Sequence, residues 1–265
     1  MVTIDGDEVV SGSTIDGDEI SEITIDGDVV WIAEIPIPDS AVYRWKLDDV
    51  NGTISDSVGS NNGSNNGITS TSGEWIGGSA GEGDGSSHIM FDTLPELTNI
   101  GSGTYSVAFT IQTTDNDVYV AGSRANESKD GRLIFGIGSP SGIDASGGRM
   151  GIKRARTDSP SSGQRLATTT EINDGQPHRV VFTSDGPFAD DCMFYVDGEP
   201  GISSERNGDV DNGSGDLTVD FAMFGSNRDG SVSLEMDGIL DEWIFFDDEL
   251  TDSEVDDDYQ RQPWS

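Results

Sequence analysis

Four runs, Thr104–Gln112, Arg179–Thr183, Cys192–Val196 and Leu217–Phe224, alternate apolar and polar side chains, with clusters of Gly, Asn, Asp and Ser between them. Alternation with a period of two places the apolar residues on one face of a strand. Many such strands joined by turns build a two-layer sandwich or jelly roll. The chain carries 35 glycines in 265 residues, and each would cost a helix interior about 1 kcal/mol. Asp197-Gly198, between Phe194–Val196 and Glu199-Pro200, reads as a hairpin turn, because Gly supplies positive φ without strain. One helix is expected, where Thr251 and Glu254 form a capping box ahead of Val255. The long Gly/Ser/Asn stretches 59–88 and 139–163 read as mobile loops. Residues 41–265 are therefore expected to form an all-β jelly-roll β-sandwich.

The first forty residues differ. Thr-Ile-Asp-Gly-Asp occurs at 3–7, 14–18 and 24–28. Each Asp-Gly sits between β-forming residues, so 1–34 reads as an arm of β-hairpin repeats. Ile35-Pro36-Ile37-Pro38 cannot continue a central strand, which makes 35–40 a Pro-bounded linker. The EF-hand spacing of acids is absent, so the repeat does not read as a calcium loop. Short hairpins bury little surface alone. Ile4, Ile15, Ile25 and Trp31 must pack against the main domain or another subunit, so the arm reads as an attachment and oligomerisation device. In style it resembles the start of many tailed-virus structural proteins.

The charge narrows the partners. Lys+Arg 14 against Asp+Glu 50 leaves −36. Nucleic-acid binding needs Lys and Arg to displace phosphate counterions, and docking on anionic lipid needs a basic patch; both are excluded. Asp dominates Glu, and only 3 lysines are present. Self-repulsion of this size destabilises a compact chain in dilute buffer, whereas molar salt shortens the Debye length to about 3 Å. The chain reads as halophilic, the alternative being a calcium-rich extracellular protein. A lone cysteine, Cys192, excludes an internal disulfide and reads as a buried strand residue. The opening MVTIDGDEVV has neither a basic n-region nor an apolar h-region, so no signal peptide is expected. No apolar run near the start is long enough to span a bilayer.

Five blocks in order resemble a known family. They are 42–49 (VYRWKLDD) with 56–63 (DSVGSNNG), then 105–111 (YSVAFTI), 173–186 (NDGQPHRVVFTSDG), 194–198 (FYVDG) and 238–255, which contains ILDEW and LTDSEV. Together they are similar to the laminin-G-like, concanavalin A-like jelly rolls of the lectin/glucanase superfamily. Pro177 and Arg179 stand where that family carries an aromatic residue and a second histidine.

The resemblance implies three kinds of site. Some folds of this type are glycosidases with paired carboxylates on one strand. Glu235-Met-Asp237 begins that pattern, but Ile239 and Leu240 stand where the second Glu belongs, so the chain is expected not to be an enzyme. His178 reads as a strand-edge residue rather than a base. The family often holds a calcium ion between the loop after its first strand and the I-D-E strand. Asp48, Asp56, Asn61, Asn62 and Asp241 offer oxygens at matching positions, the alternative being solvated turn residues. Sugar-binding sandwiches use loop rims, and Trp75, Tyr119, Arg124, Asn126, Asn227 and Arg228 are the candidate rim residues.

Taken together, these readings describe a virion structural protein of a halophilic archaeal tailed virus: a tail fibre, spike or capsid turret. Its arm would join other virion proteins as a homo-oligomer, and its lectin-like domain would face a host-surface glycan. The alternative is a carbohydrate-binding adhesion module of a haloarchaeal cell-surface protein. A domain plan alone is a weaker guide than chemistry.

Overall fold

A computed structural model describes residues 14–15, 18–19, 22–25, 28–32, 36–73, 75–97, 103–124, 132–140, 143, 145–155, 164–186, 189–206, 220–228 and 230–262. The chain divides into two units, Met1–Pro36 and Ile37–Ser265. In the first, Thr14–Ile15 pairs antiparallel with Asp18–Glu19, and Glu22–Ile25 with Asp28–Ile32. In the sequence an Asp-Gly dipeptide, Asp16-Gly17 or Asp26-Gly27, lies between the two strands of each pair. The first repeat, 3–7, lies outside the described residues.

The second unit is a sandwich of two sheets. The larger runs in the order Ile202–Arg206, Gln164–Glu171, Arg149–Ala155, Arg132–Ile137, Val118–Arg124, Phe221–Met223, His88–Phe91, Gly63–Asn66, Thr53–Ile54. The smaller runs Glu199–Pro200, Cys192–Val196, His178–Ser184, Tyr105–Gln112, Asp237–Phe246, Ser79–Asp84, Thr69–Ser72, with Ala41–Trp45 also on Asp237–Phe246. Neighbours along both orders are antiparallel. Aromatic rings fill the space between the sheets. Phe109 stacks on Trp243 with centroids 4.1 Å apart, and Trp45 meets Phe91 at 4.2 Å. Offset stacking of this kind adds about 0.5–1.5 kcal/mol per pair beyond area burial.

Tyr105–Gln112, His178–Ser184 and Cys192–Val196 are strands where the sequence places them; of the fourth run Phe221–Met223 is a strand and 217–219 lie outside the described residues. The Asp197-Gly198 turn is in place too, with φ of 55° and 79°. Cys192 is buried, as expected. The helix Asp252–Gln260 starts on Thr251, whose hydroxyl accepts from the Glu254 N–H while the Glu254 carboxylate accepts from the Thr251 N–H. It covers a second apolar patch on the outer face of the smaller sheet, built from Ala108, Val181, Tyr195, Ile244, Phe246, Leu250 and Val255.

Two expectations are corrected. Residues 59–88 are not a long loop: Gly63–Asn66, Thr69–Ser72 and Ser79–Asp84 are strands within them. A side chain at Gly63 would collide with Phe91 and Ile89, so the glycine that looks like a loop residue is what lets this strand close on the core. Arg149–Ala155 is likewise a strand within 139–163.

Candidate functional site

Above the sheet, Trp75 sits in a tight turn between the strands Thr69–Ser72 and Ser79–Asp84. The Gly78 N–H donates to the Trp75 carbonyl at 2.9 Å, and the Gly73 N–H to the Gly78 carbonyl at 3.5 Å. The turn is fastened from below: the Ile76 N–H donates to Asp241 Oδ2 at 3.0 Å, and Ser79 Oγ to the Asp48 carbonyl at 2.9 Å.

A pocket of about 290 Å³ opens beside the indole, lined by Thr71, Ser72, Gly73, Trp75, Gln112, Pro177 and Ile239. Pairing fixes its floor, since Gln112 stands opposite Ile239 on adjacent strands. The far wall is the segment before Arg179. There Gln112 Nε2 donates to the Gly175 carbonyl at 2.8 Å, which turns Gln112 Oε1 into the remaining acceptor. His178 fixes the same segment, with Nδ1 2.7 Å from Asp197 Oδ2 and Nε2 3.1 Å from Asp174 Oδ1. Two acceptors require both ring nitrogens to donate, so the geometry is that of an imidazolium. The hydrogen bond that His178 donates to Asp197 is the main cause that raises the His178 pKa above its ordinary value, outweighing burial.

The six rim candidates do not converge. Trp75 lines the pocket. Tyr119 does not reach the surface: it is 0 % exposed, packed with Ile134, Ile143, Ala145 and Ala167. Asn227 is buried too, its amide donating to the Asp220 carbonyl and its Oδ1 accepting from the Gly230 N–H; both residues are corrected from rim to core. Arg228 is exposed, pairs in register with Arg124 on the larger sheet and does not line the pocket. Asn126 lies outside the described residues. Gln112, Pro177 and Ile239 were not foreseen as pocket residues: Pro177 and Ile239 stood out only as departures from the family pattern, and the three meet only in the tertiary structure.

The five cation candidates divide. Asp56 Oδ1 accepts from the N–H groups of Arg44, Val58 and Gly59, and its Oδ2 from Asn61. Asn62 Oδ1 accepts from the Asp56 N–H, and the Asn61 amide donates to the Thr93 carbonyl. Asp56 and Asn62 thus organise their own loop. Asp48, Asp241 and Asn61 differ: each keeps a buried Oδ1 with no hydrogen-bond partner. Burial, then Glu242 and Asp48, push the Asp241 carboxyl up to about 8, and burial raises Asp48 as well. Two neighbouring carboxylates with unengaged oxygens fit a hard cation, with backbone carbonyls completing the shell. Among the described residues no cluster of three or more His, Cys, Asp or Glu could hold a metal.

Beside this pair lies a network the sequence did not reveal. Arg179, 1 % exposed, donates to both oxygens of Asp258 at 2.6 and 2.8 Å and to the Glu242 carbonyl at 3.0 Å. Arg44 and Arg261 both donate to the Glu242 carboxylate, and Arg261 also to Asp258. Burial opposes the Arg179 charge, but Asp258 and Glu242 outweigh it and hold the guanidinium firmly protonated. Glu235 and Asp237 do not line the pocket.

The fold has relatives among solved structures. Domain 4 of AbnA, an extracellular arabinanase of Geobacillus stearothermophilus solved with arabinotriose, superposes with a TM-score of 0.56 at 19 % identity, over 82 % of this chain and 97 % of that one. The binding domain of Paraclostridial Mosquitocidal Protein 1 gives 0.58 at 12 % identity over 83 % of this chain, and the receptor-binding domain of botulinum neurotoxin C/D mosaic serotype 0.57 at 13 % over 84 %. This chain spans about half of each toxin domain, 52 % in both cases. No curated protein sequence matches it. Residues 83–256 match the model of the Laminin_G_3 family, described as the concanavalin A-like lectin/glucanases superfamily, and the chain belongs to that family.

Proposed function

We propose that this protein is a non-catalytic, glycan-binding jelly roll. The observation that carries the reading is the pocket at Trp75: apolar walls from the indole, Pro177 and Ile239 face hydroxyl and amide groups of Thr71, Ser72 and Gln112. A sugar has the same division into C–H faces and O–H edges, and a concave site with a few convergent polar groups is the usual form of a small-ligand site. The arabinotriose-bound relative supports the class of ligand. No carboxylate lines the pocket, and glycoside hydrolysis needs two.

The test is a glycan array in molar salt, with Trp75→Ala alongside. Binding that Trp75→Ala abolishes is expected, with no hydrolysis of the bound glycan. Binding untouched by Trp75→Ala moves the site elsewhere, and cleavage of a bound glycan ends the non-catalytic reading.

The finer reading is a virion structural protein of a halophilic archaeal tailed virus, assembled in the host and exposed on the particle. The paired hairpins at Thr14–Glu19 and Glu22–Ile32 and the charge of −36 support it. The arm would join neighbouring subunits, giving a homo-oligomer. Native mass measurement in molar salt checks this, and a strict monomer speaks against it. A calcium ion at Asp48 and Asp241 belongs to the same reading. It would tie the Trp75 turn to the central strand, because both carboxylate-bearing residues already anchor that turn.

A further inference from the structure

We infer that the Trp75 pocket selects a single uncharged sugar unit and rejects sugars bearing a carboxylate or sulfate. The inference rests on the glycan-binding reading above and deepens it. About 290 Å³ lies at the lower end of the range for small-molecule sites, about 300–1,000 Å³, which suits one ring rather than several. Among the described lining residues none is basic or acidic; recognition would come from hydroxyls, one amide and apolar surface.

An anionic sugar would therefore enter with its charge unpaired, and an unpaired charge is costly to take out of water. The surroundings add to this. Glu82 is exposed and pairs in register with Ile239 on the pocket floor. Asp237 and Asp84 pair beside it, and both are exposed. Asp174 is exposed on the wall that carries Pro177. The basic groups on the same strands are held by carboxylates: Arg179 by Asp258 and Glu242, and His178 by Asp197 and Asp174.

Long-range repulsion between these acids and an anionic ligand fades in molar salt, but the lack of a partner inside the pocket does not. Discrimination should therefore persist in molar salt and widen as salt falls.

The experiment compares neutral oligosaccharides with their uronic-acid counterparts, which differ only at the oxidised carbon. Binding is measured by calorimetry to the full chain in molar and in reduced salt. Three variants accompany it: Ser72→Tyr fills the pocket from an exposed position and leaves Trp75 unsubstituted, Gln112→Lys places a cation in the lining, and Glu82→Lys reverses the neighbouring charge. The neutral member of a pair should bind tighter by at least about tenfold. Ser72→Tyr should abolish that binding, and Gln112→Lys or Glu82→Lys should narrow the preference. Equal or tighter binding of the acid, lost in Ser72→Tyr, overturns the charge selection and leaves glycan binding intact. Binding of neither member of any pair overturns both.

Discussion

His178 shows how a single side chain can tie the pocket wall to pH. Its two nitrogens face Asp197 and Asp174, and the same segment meets the backbone N–H of Arg179 at Asp197 Oδ1 and the Tyr259 ring at Gly198. The folded-state pKa is raised above the ordinary 6.5. Its contribution is thus complete below about pH 6.5 and is lost as pH rises through the folded value. Asp174 remains ionised in that window, because the Gln176 N–H and then His178 hold its carboxyl low. Thermal melts should show stability falling as pH rises from 6 to 8, and His178→Gln should flatten that slope at a cost on the order of 1 kcal/mol at the acid end. An unchanged slope in the variant removes the assignment. Asp241 acts in the opposite sense to a stabilising carboxylate. Its raised pKa, about 8, means that ionising it between its ordinary and its folded value works against the fold. With calcium chelated by EGTA, Asp241→Asn should melt at or above the wild type near pH 7. With calcium restored the wild type should gain a few degrees and the variant should not. Identical wild-type curves in both media end the calcium reading.

The helix Asp252–Gln260 is held by more than its apolar face. Val255 meets the patch on the smaller sheet, Tyr195 donates to Asp252 at 2.7 Å, and Asp258 is buried against Arg179 and Arg261. Breaking a buried ion pair by removing one partner leaves an uncompensated charge and costs about 3–5 kcal/mol. Arg179→Met and Asp258→Ala should each destabilise by that amount in chemical melts, with the double variant costing less than their sum. Additive losses would mean that the two side chains do not share one interaction. The capping box that starts this helix was legible in the sequence, and so was the alternation of Tyr105–Gln112. The clamp was not: Arg179 and Asp258 are 79 residues apart, and local pattern carries no sign of such a pairing. The glycine-bearing strands at 63–66 and 79–84 were hidden for a related reason. A strand that packs backbone against Phe91 or Phe224 has no apolar side chains to alternate.

At the scale of the molecule, the charge of −36 predicts that melting temperature falls steadily as NaCl is lowered from molar to about tenth-molar, where the Debye length lengthens to about 10 Å. Full stability at low salt without calcium would end the halophilic reading. Composition and alternation were enough to determine the class of fold, the helix Asp252–Gln260 and the Asp197-Gly198 turn, since each follows from near neighbours or from totals. The pocket was decided by tertiary structure. Trp75 could be named from the sequence, but Gln112, Pro177 and Ile239 meet it only because three strands align. Tyr119 and Asn227 were taken for surface residues, because nothing local shows that Ile143 and Ala145 would cover one and that the other would cap its own turn. Burial depends on what folds over a residue, and that cover comes from distant parts of the chain.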